Sequence, residues 1–183
     1  MRIIAGSARS RAILTPRGQD TRPTLDRVRE SLFNILQPYV NGAKVLDLFA
    51  GSGALALEAL SRGAEFALMV DSSREAHQVE KANVATLGFS ARCHVALADW
   101  RTALSSVATA YAPFDLVFLD PPYRMTDLAP VGEGLKVLVA EDALIIIEHD
   151  EKAEPVFASD YVLADKRKYG KASISFYRLK EGI

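Results

Sequence analysis

Apolar segments typical of buried strands alternate with segments of helical periodicity along most of this chain. The runs KVLDLF, EFALMVD, RCHVALADW, FDLVFLD and ALIIIEHD are short and rich in aliphatic residues, which predicts strands. Between them, ALALEALSRG and SREAHQVEKANVATLGF predict helices, and TDLAPVGEGLKVLVA predicts a helix loosened by its proline and glycines. Nearly continuous apolar strands joined by helices are typical of a parallel sheet covered on both faces. The pattern therefore predicts an α/β fold.

Both ends of the chain depart from this alternation. RIIAG and RAILT predict a small basic hairpin, which is followed by a helix over RPTLDRVRESLFNILQPYV. The apolar face of that helix is predicted to contain Val28, Leu32, Ile35 and Tyr39. Near the other end, two strand-like runs predict a closing hairpin that turns near Gly170. We therefore divide the chain into an extension, residues 1–40, and a main domain, residues 41–183, on which the extension packs.

Composition narrows the class of protein. With 183 residues, 49% of them hydrophobic, the chain is expected to fold around one sizeable core. No apolar run approaches the roughly 18 residues that span a bilayer, and Arg9 and Arg11 interrupt any signal-peptide core. The single cysteine, Cys93, suits a reducing compartment. We therefore expect a cytoplasmic protein.

Charge is distributed unevenly although the net charge is only −1. Residues 1–29 carry seven arginines and two aspartates, and residues 161–183 carry six basic and two acidic residues. The stretch 30–160 has nineteen acidic and nine basic residues. Basic ends on an acidic body favour a polyanion bound by one face, although merely solvated termini would give the same pattern. The candidates for phosphate contacts are Arg2, Arg9, Arg11, Arg17 and Arg22, with the run 166–168 as a weaker one.

Acids and glycines follow successive predicted strands, at the edge where parallel sheets bind ligands. Asp47 leads into GSGALA, whose glycines let a ligand approach the backbone and whose helix offers N–H groups to an anion. A carboxylate within VLDLF needs a partner, such as a ligand ammonium or loop N–H groups. Asp71 ends the second strand, where a carboxylate can accept ribose hydroxyls, and Asp99 with Trp100 could border an adenine. Alternatively, both acids could only be helix N-caps.

These motifs together resemble a known superfamily. DLFAGSG, the acids after the second and third strands, and DPPY after the fourth resemble class I S-adenosylmethionine-dependent methyltransferases. In that superfamily [D/N]-P-P-[Y/F] marks enzymes that methylate amino nitrogens conjugated to a ring or carbonyl. More narrowly, RIIAGSARSR, RPTLDRVRESLFNIL, DLFAGSGALALEALSRGA and DPPY are similar to the bacterial RsmD-type small-subunit ribosomal RNA guanine-N2 methyltransferases. ARSR and LALEA differ from that family, which usually has Arg-Gly-Arg and a glycine there.

The resemblance implies a Rossmann-like class I methyltransferase fold. This fold has a mostly parallel seven-stranded sheet with helices on both faces and a C-terminal antiparallel hairpin, here preceded by the small N-terminal hairpin and helix. The implied cofactor is S-adenosylmethionine. Its predicted binding residues are Asp47, Phe49, Gly51, Gly53, Asp71, Ser72, Asp99 and Trp100. The implied partner is 16S ribosomal RNA within an assembled or assembling small ribosomal subunit, with neither a membrane nor a metal involved.

The DPPY segment has a chemical interpretation within that resemblance. Guanine N2 is a poor nucleophile because its lone pair is delocalised into the ring, and attack on a methyl group requires it to pyramidalise. Asp120 and the carbonyl of Pro121 can each accept one N–H of the amine, while Tyr123 can stack on a flipped purine. The prolines have no N–H with which to occupy these acceptors. The predicted catalytic residues are therefore Asp120, Pro121 and Tyr123.

Three alternatives remain open from the sequence. The DPPY motif occurs with both guanine N2 and adenine N6 as the methylated amine, so an adenine-N6 methyltransferase acting on DNA or RNA is the nearest alternative. GSGALA also matches the dinucleotide pattern G-x-G-x-x-A, which would suit an NAD-dependent oxidoreductase. A non-catalytic RNA-binding module could keep the same fold. His77, His94 and His149 lack metal-ligand spacing.

Overall fold

The computed structural model describes residues 1–17 and 23–180. In chain order, the elements are α1 (Pro23–Val40), β1 (Lys44–Asp47), α2 (Ala54–Ser61), β2 (Phe66–Asp71), α3 (Arg74–Leu87), β3 (Cys93–Leu97), α4 (Trp100–Thr102), β4 (Phe114–Leu119), α5 (Ala129–Leu135), β5 (Val139–Asp150), β6 (Tyr161–Tyr169) and β7 (Ala172–Leu179). Irregular helical turns over 103–110 extend α4.

Seven strands form one sheet in the order β3-β2-β1-β4-β5-β7-β6. The pairs from β3 to β5 are parallel, and β7 runs antiparallel to both β5 and β6. The β6–β7 hairpin turns at Gly170, which has a φ of 66°. The predicted α/β fold, with its mostly parallel sheet and C-terminal antiparallel hairpin, is confirmed.

Alternate strand residues enter two hydrophobic cores, one on each face of the sheet. One core lies under α1, α2 and α3, and its strand residues include Val45, Ala67, Met69, Leu116, Phe118, Leu144 and Ile146. The other core lies under the segment after β3 and under α5, and its strand residues include Leu46, Leu68, Val70, Val117, Leu119, Ile145 and Ile147. Both faces of the sheet are covered, which explains the nearly continuous apolar strands.

Residues 1–17 form an arm that is docked on α2 and α3. Within the described part of the chain, the predicted hairpin is reduced to one antiparallel bridge, Arg2 with Ala12, and Ile3 and Ile13 enter the first core. The fully buried carboxylate of Glu58 accepts the backbone N–H groups of residues 4 and 5, at 2.8 and 3.0 Å. A Cβ at Gly6, whose φ is +82°, would lie 1.9 Å from the backbone oxygen of Ser61, so this close approach requires glycine.

Two local predictions are wrong. The helix predicted over 126–140 ends at Leu135, because the chain enters β5 at Val139 and supplies a strand residue there. In α1, Leu32 is buried and Val28 and Ile35 pack half-buried against the first core, as predicted, but Tyr39 is exposed. The buried face extends instead to Phe33, Leu36 and Val40, because that side of the helix packs on the sheet and α2.

In the two described ranges, no helix has both the length and the apolar character needed to cross a membrane.

Candidate active site

Four acids lie at the carboxyl ends of neighbouring parallel strands. Asp47 ends β1, Asp71 ends β2, Asp120 directly follows β4, and Glu148 lies in β5. Asp47 pairs in register with Met69 of β2 and Phe118 of β4. Because side chains alternate between faces, each of the four acids continues the row of its strand that faces α1, α2 and α3. The sequence-predicted acids thus meet at one rim, together with Glu148, which the sequence reasoning missed.

The glycine turn between β1 and α2 is fastened to this rim by Asp71. Its Oδ2 accepts the N–H of Gly51 at 2.9 Å, and its Oδ1 accepts the N–H of Ser73 at 2.8 Å. Gly53 has a φ of 76°, and a Cβ there would lie 2.6 Å from the sulfur of Met69. Since Ser73 is the residue that caps α3, Asp71 is not its N-cap. Asp71 instead connects the end of β2 to the glycine turn.

Asp47 lies buried beneath the same turn. Its Oδ2 accepts the N–H of Ala56 at 3.2 Å, in the first turn of α2. Burial raises the pKa of Asp47 to about 7, and the charge of Asp71 adds to the rise, while the hydrogen bond from Ala56 opposes it. The N-terminal end of α2 thus already faces a carboxylate of its own chain.

Asp99 and Trp100 lie beyond the end of β3. Asp99 caps the helical turn that follows: its Oδ1 accepts the N–H groups of Arg101 and Thr102, at 2.9 and 3.3 Å. A hydrogen bond from the Thr102 hydroxyl is the main cause of the lowered pKa of Asp99. The half-buried Trp100 has the Arg101 guanidinium 4.3 Å from its ring centroid. Within the chain, Asp99 therefore acts as a helix N-cap, which was the alternative interpretation of this residue.

The two remaining predicted cofactor residues flank these acids. Phe49 is half-buried at the turn after β1 and packs against the second core. Ser72 is exposed between Asp71 and Ser73. Both residues therefore lie near the rim, next to the acids that are proposed to bind the cofactor.

The DPPY segment forms one side of a small concavity at the end of β4. Pro121 is buried, whereas the ring of Tyr123 is 77% exposed. Pro121, Pro122 and Tyr123 line the concavity with Glu148 of the neighbouring strand. The segment therefore presents an exposed aromatic face and a concave surface next to Asp120.

Burial raises the pKa values of several carboxyl groups near this rim. Asp120 keeps exposed surface, yet the protein crowded around its carboxyl group raises its pKa, and the charges of Glu148 and Asp47 add to that rise. Burial also raises the pKa of Glu148. Glu80 of α3 is fully buried, and its pKa is raised to about 9 by burial and by the charges of Asp47 and Asp71. So many crowded carboxyl groups favour a ligand that brings positive charge or hydrogen-bond donors.

The predicted RNA-contacting arginines occupy different environments. Arg2, Arg9 and Arg17 are exposed. The exposed Arg11 donates to the backbone oxygen of Thr86 and, at 3.4 Å, to that of Leu87, so its guanidinium group binds the last turn of α3. Arg22 lies outside the described residues.

The basic run 166–168 is paired with acids of its own surface. Lys166 lies 3.0 Å from Glu154, and Lys168 lies 2.5 Å from Glu151. Arg167 likewise lies 2.8 Å from Asp165. These pairs reduce the positive charge that this hairpin offers to a polyanion.

One buried amide connects the arm to the glycine turn. The side chain of Asn83, in α3, donates to the backbone oxygen of Ser52 at 2.9 Å and to that of Leu14 at 3.0 Å. Its Oδ1 accepts the N–H of Leu14 at 2.7 Å. The sequence analysis missed this residue, although a polar side chain beside Val84, on the helix face that also carries Ala76 and Leu87, was a usable signal.

Among the residues that the structure describes, no group of three or more histidine, cysteine or acidic side chains is arranged to hold a metal ion.

Comparison with known proteins assigns the chain to a family. The family described as Conserved hypothetical protein 95 matches residues 1–178. The Bacillus subtilis protein YlbH is 39% identical over 181 residues, covering 97% of this chain and 98% of that protein. Ribosomal RNA small subunit methyltransferase D of Escherichia coli K12 is 37% identical over 184 residues, covering 97% of this chain and 89% of that protein. The solved structure of the Escherichia coli protein yhhF is 36% identical, with a TM-score of 0.82 and 98% of both chains covered. The chain thus belongs to the Conserved hypothetical protein 95 family, which is the RsmD-type methyltransferase family that its motifs resemble, and it has the class I methyltransferase fold.

Proposed function

We propose that this protein transfers a methyl group from S-adenosylmethionine to the exocyclic N2 of a guanine in 16S ribosomal RNA, which gives N2-methylguanosine. The observation that carries the proposal is the position of the DPPY segment, at the same rim as the glycine turn and the acids of β1 and β2. The name of the Escherichia coli relative, a small-subunit ribosomal RNA methyltransferase, supports the substrate class.

The residues at the rim fit S-adenosylmethionine. When bound, this cofactor supplies an electrophilic methyl group on a positively charged sulfur. The carboxylate of Asp47 suits its ammonium group, and Asp71 retains acceptor capacity for its ribose hydroxyls. Asp99 and Trp100 would border the adenine. A ligand with positive charge would also relieve the repulsion among the crowded carboxyl groups.

A nicotinamide dinucleotide fits the same residues poorly. Its pyrophosphate requires the free N–H groups and positive end of a helix that follows the glycine turn. Here Asp47 accepts the N–H of Ala56, in the first turn of α2, and so places a carboxylate beside the N-terminal end of that helix. Two phosphate charges would therefore face a carboxylate, which argues against the oxidoreductase alternative.

In this reaction the protein must orient the guanine N2 amine and stabilise it as it becomes cationic. Asp120 accepts one N–H of the guanine amine and the carbonyl of Pro121 accepts the other, which favours pyramidal nitrogen. Tyr123 stacks on the base and holds its plane. Positioning of this kind can contribute about 7–11 kcal/mol, and a nearby negative charge stabilises the cationic amine. Asp120 therefore acts as an acceptor first and as a base second, because the methylated amine is acidic enough to lose a proton to water.

Residues 1–40 are proposed to be the RNA-binding extension. The exposed Arg2, Arg9 and Arg17 suit phosphate contacts, whereas Arg11 is already bound to the end of α3. The target base must leave its stack to reach the concavity, so we propose a single-stranded loop within an assembled or assembling small subunit.

Nucleoside analysis tests this function directly. We expect 16S RNA from a strain lacking the gene to lose one N2-methylguanosine, and the purified protein with S-adenosylmethionine to restore it. Restoration of N6-methyladenosine instead would support the adenine alternative, and an unchanged set of nucleosides would refute both.

A further inference from the structure

Glu148 and Asp120 are neighbours across two parallel strands. Leu119 of β4 pairs in register with Ile147 of β5, so the next positions along both strands are Asp120 and Glu148. Both follow residues that face the second core, and both side chains therefore point to the opposite side of the sheet. The two carboxyl groups are thus presented side by side at the rim.

Neither carboxyl group has a hydrogen-bond or ion-pair partner within residues 1–17 and 23–180. The neighbouring His149 does not serve: its Nε2 lies 2.9 Å from the hydroxyl of Ser175, and its Nδ1 lies 2.9 Å from the backbone oxygen of Asp150. Glu148 lines the concavity formed by the DPPY segment, where an exposed aromatic ring borders it. Glu148 therefore faces the space proposed for the base, and Asp120 lies beside it at the rim.

This arrangement matches one purine edge and opposes the other. Guanine presents contiguous donors, N1–H and the N2 amine, whereas the amino group of adenine lies beside an N1 that is an acceptor. We propose that Glu148 determines base specificity: its carboxylate accepts N1–H of the target guanine while Asp120 accepts an N–H of N2. Adenine is rejected because its N1 lone pair would face the Glu148 carboxylate. This inference rests on the proposed function and adds a residue to it.

The base 2-aminopurine separates the two contacts, since it keeps the 2-amine but has an acceptor at N1. The test uses two small subunits assembled with synthetic 16S RNAs that carry either guanine or 2-aminopurine at the position mapped by nucleoside analysis. Wild-type enzyme is expected to prefer guanine by about 100-fold in kcat/KM, because a site built for a hydrogen bond rejects an analogue lacking it. Glu148→Gln can donate its amide N–H to the N1 of 2-aminopurine, so the preference should fall at least tenfold.

Glu141→Gln is the matched control, because it makes the same change at an exposed position of β5. It should leave the preference unchanged, and Glu148→Gln should bind S-adenosylmethionine as tightly as wild type by calorimetry. A wild-type preference retained in Glu148→Gln would overturn the inference. If that variant does not fold, the wild-type comparison decides, since equal use of guanine and 2-aminopurine would also overturn it. A wild-type enzyme that methylates neither RNA refutes the proposed function itself.

Discussion

Asp120 differs in one respect from the other three acids that the sequence singled out. Asp47, Asp71 and Asp99 each accept at least one backbone N–H of their own chain. Asp120 accepts none from the residues that the structure describes, although it lies at the same rim. An acceptor without internal partners can give its full capacity to a substrate, which fits the role proposed for it.

Asp71→Ala should weaken binding of S-adenosylmethionine. The change removes the acceptor for the N–H of Gly51 and the proposed acceptor for the ribose hydroxyls. Since hydrogen bonds to charged groups contribute about 1.5–3 kcal/mol, the dissociation constant should rise by about 10- to 100-fold in calorimetry. Asp115→Asn is the control, because Asp115 also accepts a backbone N–H but lies at the start of β4. An unchanged dissociation constant in Asp71→Ala would contradict the role of Asp71.

The pH profile of methyl transfer reports on the Asp120 carboxyl group. The protein crowded around this group raises its pKa, and the charged groups facing it, Glu148 and Asp47, add to the rise; Tyr123 also lies beside it. The ionised form is the better acceptor, so kcat/KM should fall as pH decreases through this raised pKa. Glu148→Gln removes one negative charge and lowers the pKa of Asp120, which should move the acidic limb to lower pH. A limb that stays in place would show that the two carboxyl groups are not coupled.

At the scale of elements, α3 joins the basic arm to the glycine turn. Asn83 binds both polar groups of the Leu14 backbone and the backbone oxygen of Ser52. The arm proposed to hold RNA and the turn proposed to hold the cofactor thus share one side chain. A displacement of the arm is therefore expected to displace the glycine turn, and the reverse.

Asn83→Ala should destabilise the fold and weaken cofactor binding together. Three backbone groups lose their partner, so the free energy of unfolding should fall by about 2 kcal/mol in chemical denaturation. Asn34→Ala, at an exposed position of α1, should change it by less than about 0.5 kcal/mol. If both variants bound S-adenosylmethionine as wild type does, Asn83 would have only a structural role.

Element types were predictable from periodicity, but the buried faces were not always so. In α1, Phe33 and Leu36 are buried and Tyr39 is exposed, because α2 and the sheet contact the helix on a side that its own sequence does not reveal. Similarly, residues 136–140 read as helix, yet Val139 pairs with Phe114 of β4. Tertiary contacts override local preference in both cases.

The acids of the site could also be predicted only in part from the sequence. Acids at strand ends were visible in the sequence, and a parallel sheet necessarily brings them to one rim. Glu148 was missed because β5 continues to Asp150, so this residue does not mark a strand end. Only the register with β4 reveals that it lies beside Asp120. Likewise, the sequence could not show that Arg11 binds the end of α3.

For the whole molecule, the charge distribution predicts a binding face. Arg2, Arg9 and Arg17 are exposed, whereas the basic run 166–168 is paired with acids. RNA should therefore contact the arm by its phosphates and reach the rim only with the target base.

The salt dependence of RNA binding tests this arrangement. Arg2→Gln with Arg9→Gln should reduce the slope of log affinity against log salt by about 1–2, because two phosphate contacts are lost. Lys166→Gln with Lys168→Gln is the control with equal charge change, and it should leave the slope nearly unchanged because both lysines are already ion-paired. The opposite ranking of the two double variants would place the RNA on the C-terminal hairpin.

The most direct test of the central claim compares Asp120→Ala with wild type on small-subunit RNA, using S-adenosylmethionine that carries a radiolabelled methyl group. The change removes both acceptor oxygens of the side chain together with its charge. We predict that the variant binds S-adenosylmethionine with the wild-type dissociation constant, while transfer to guanine N2 falls by at least about 100-fold. Transfer at the wild-type rate in a variant that binds the cofactor normally would contradict the account.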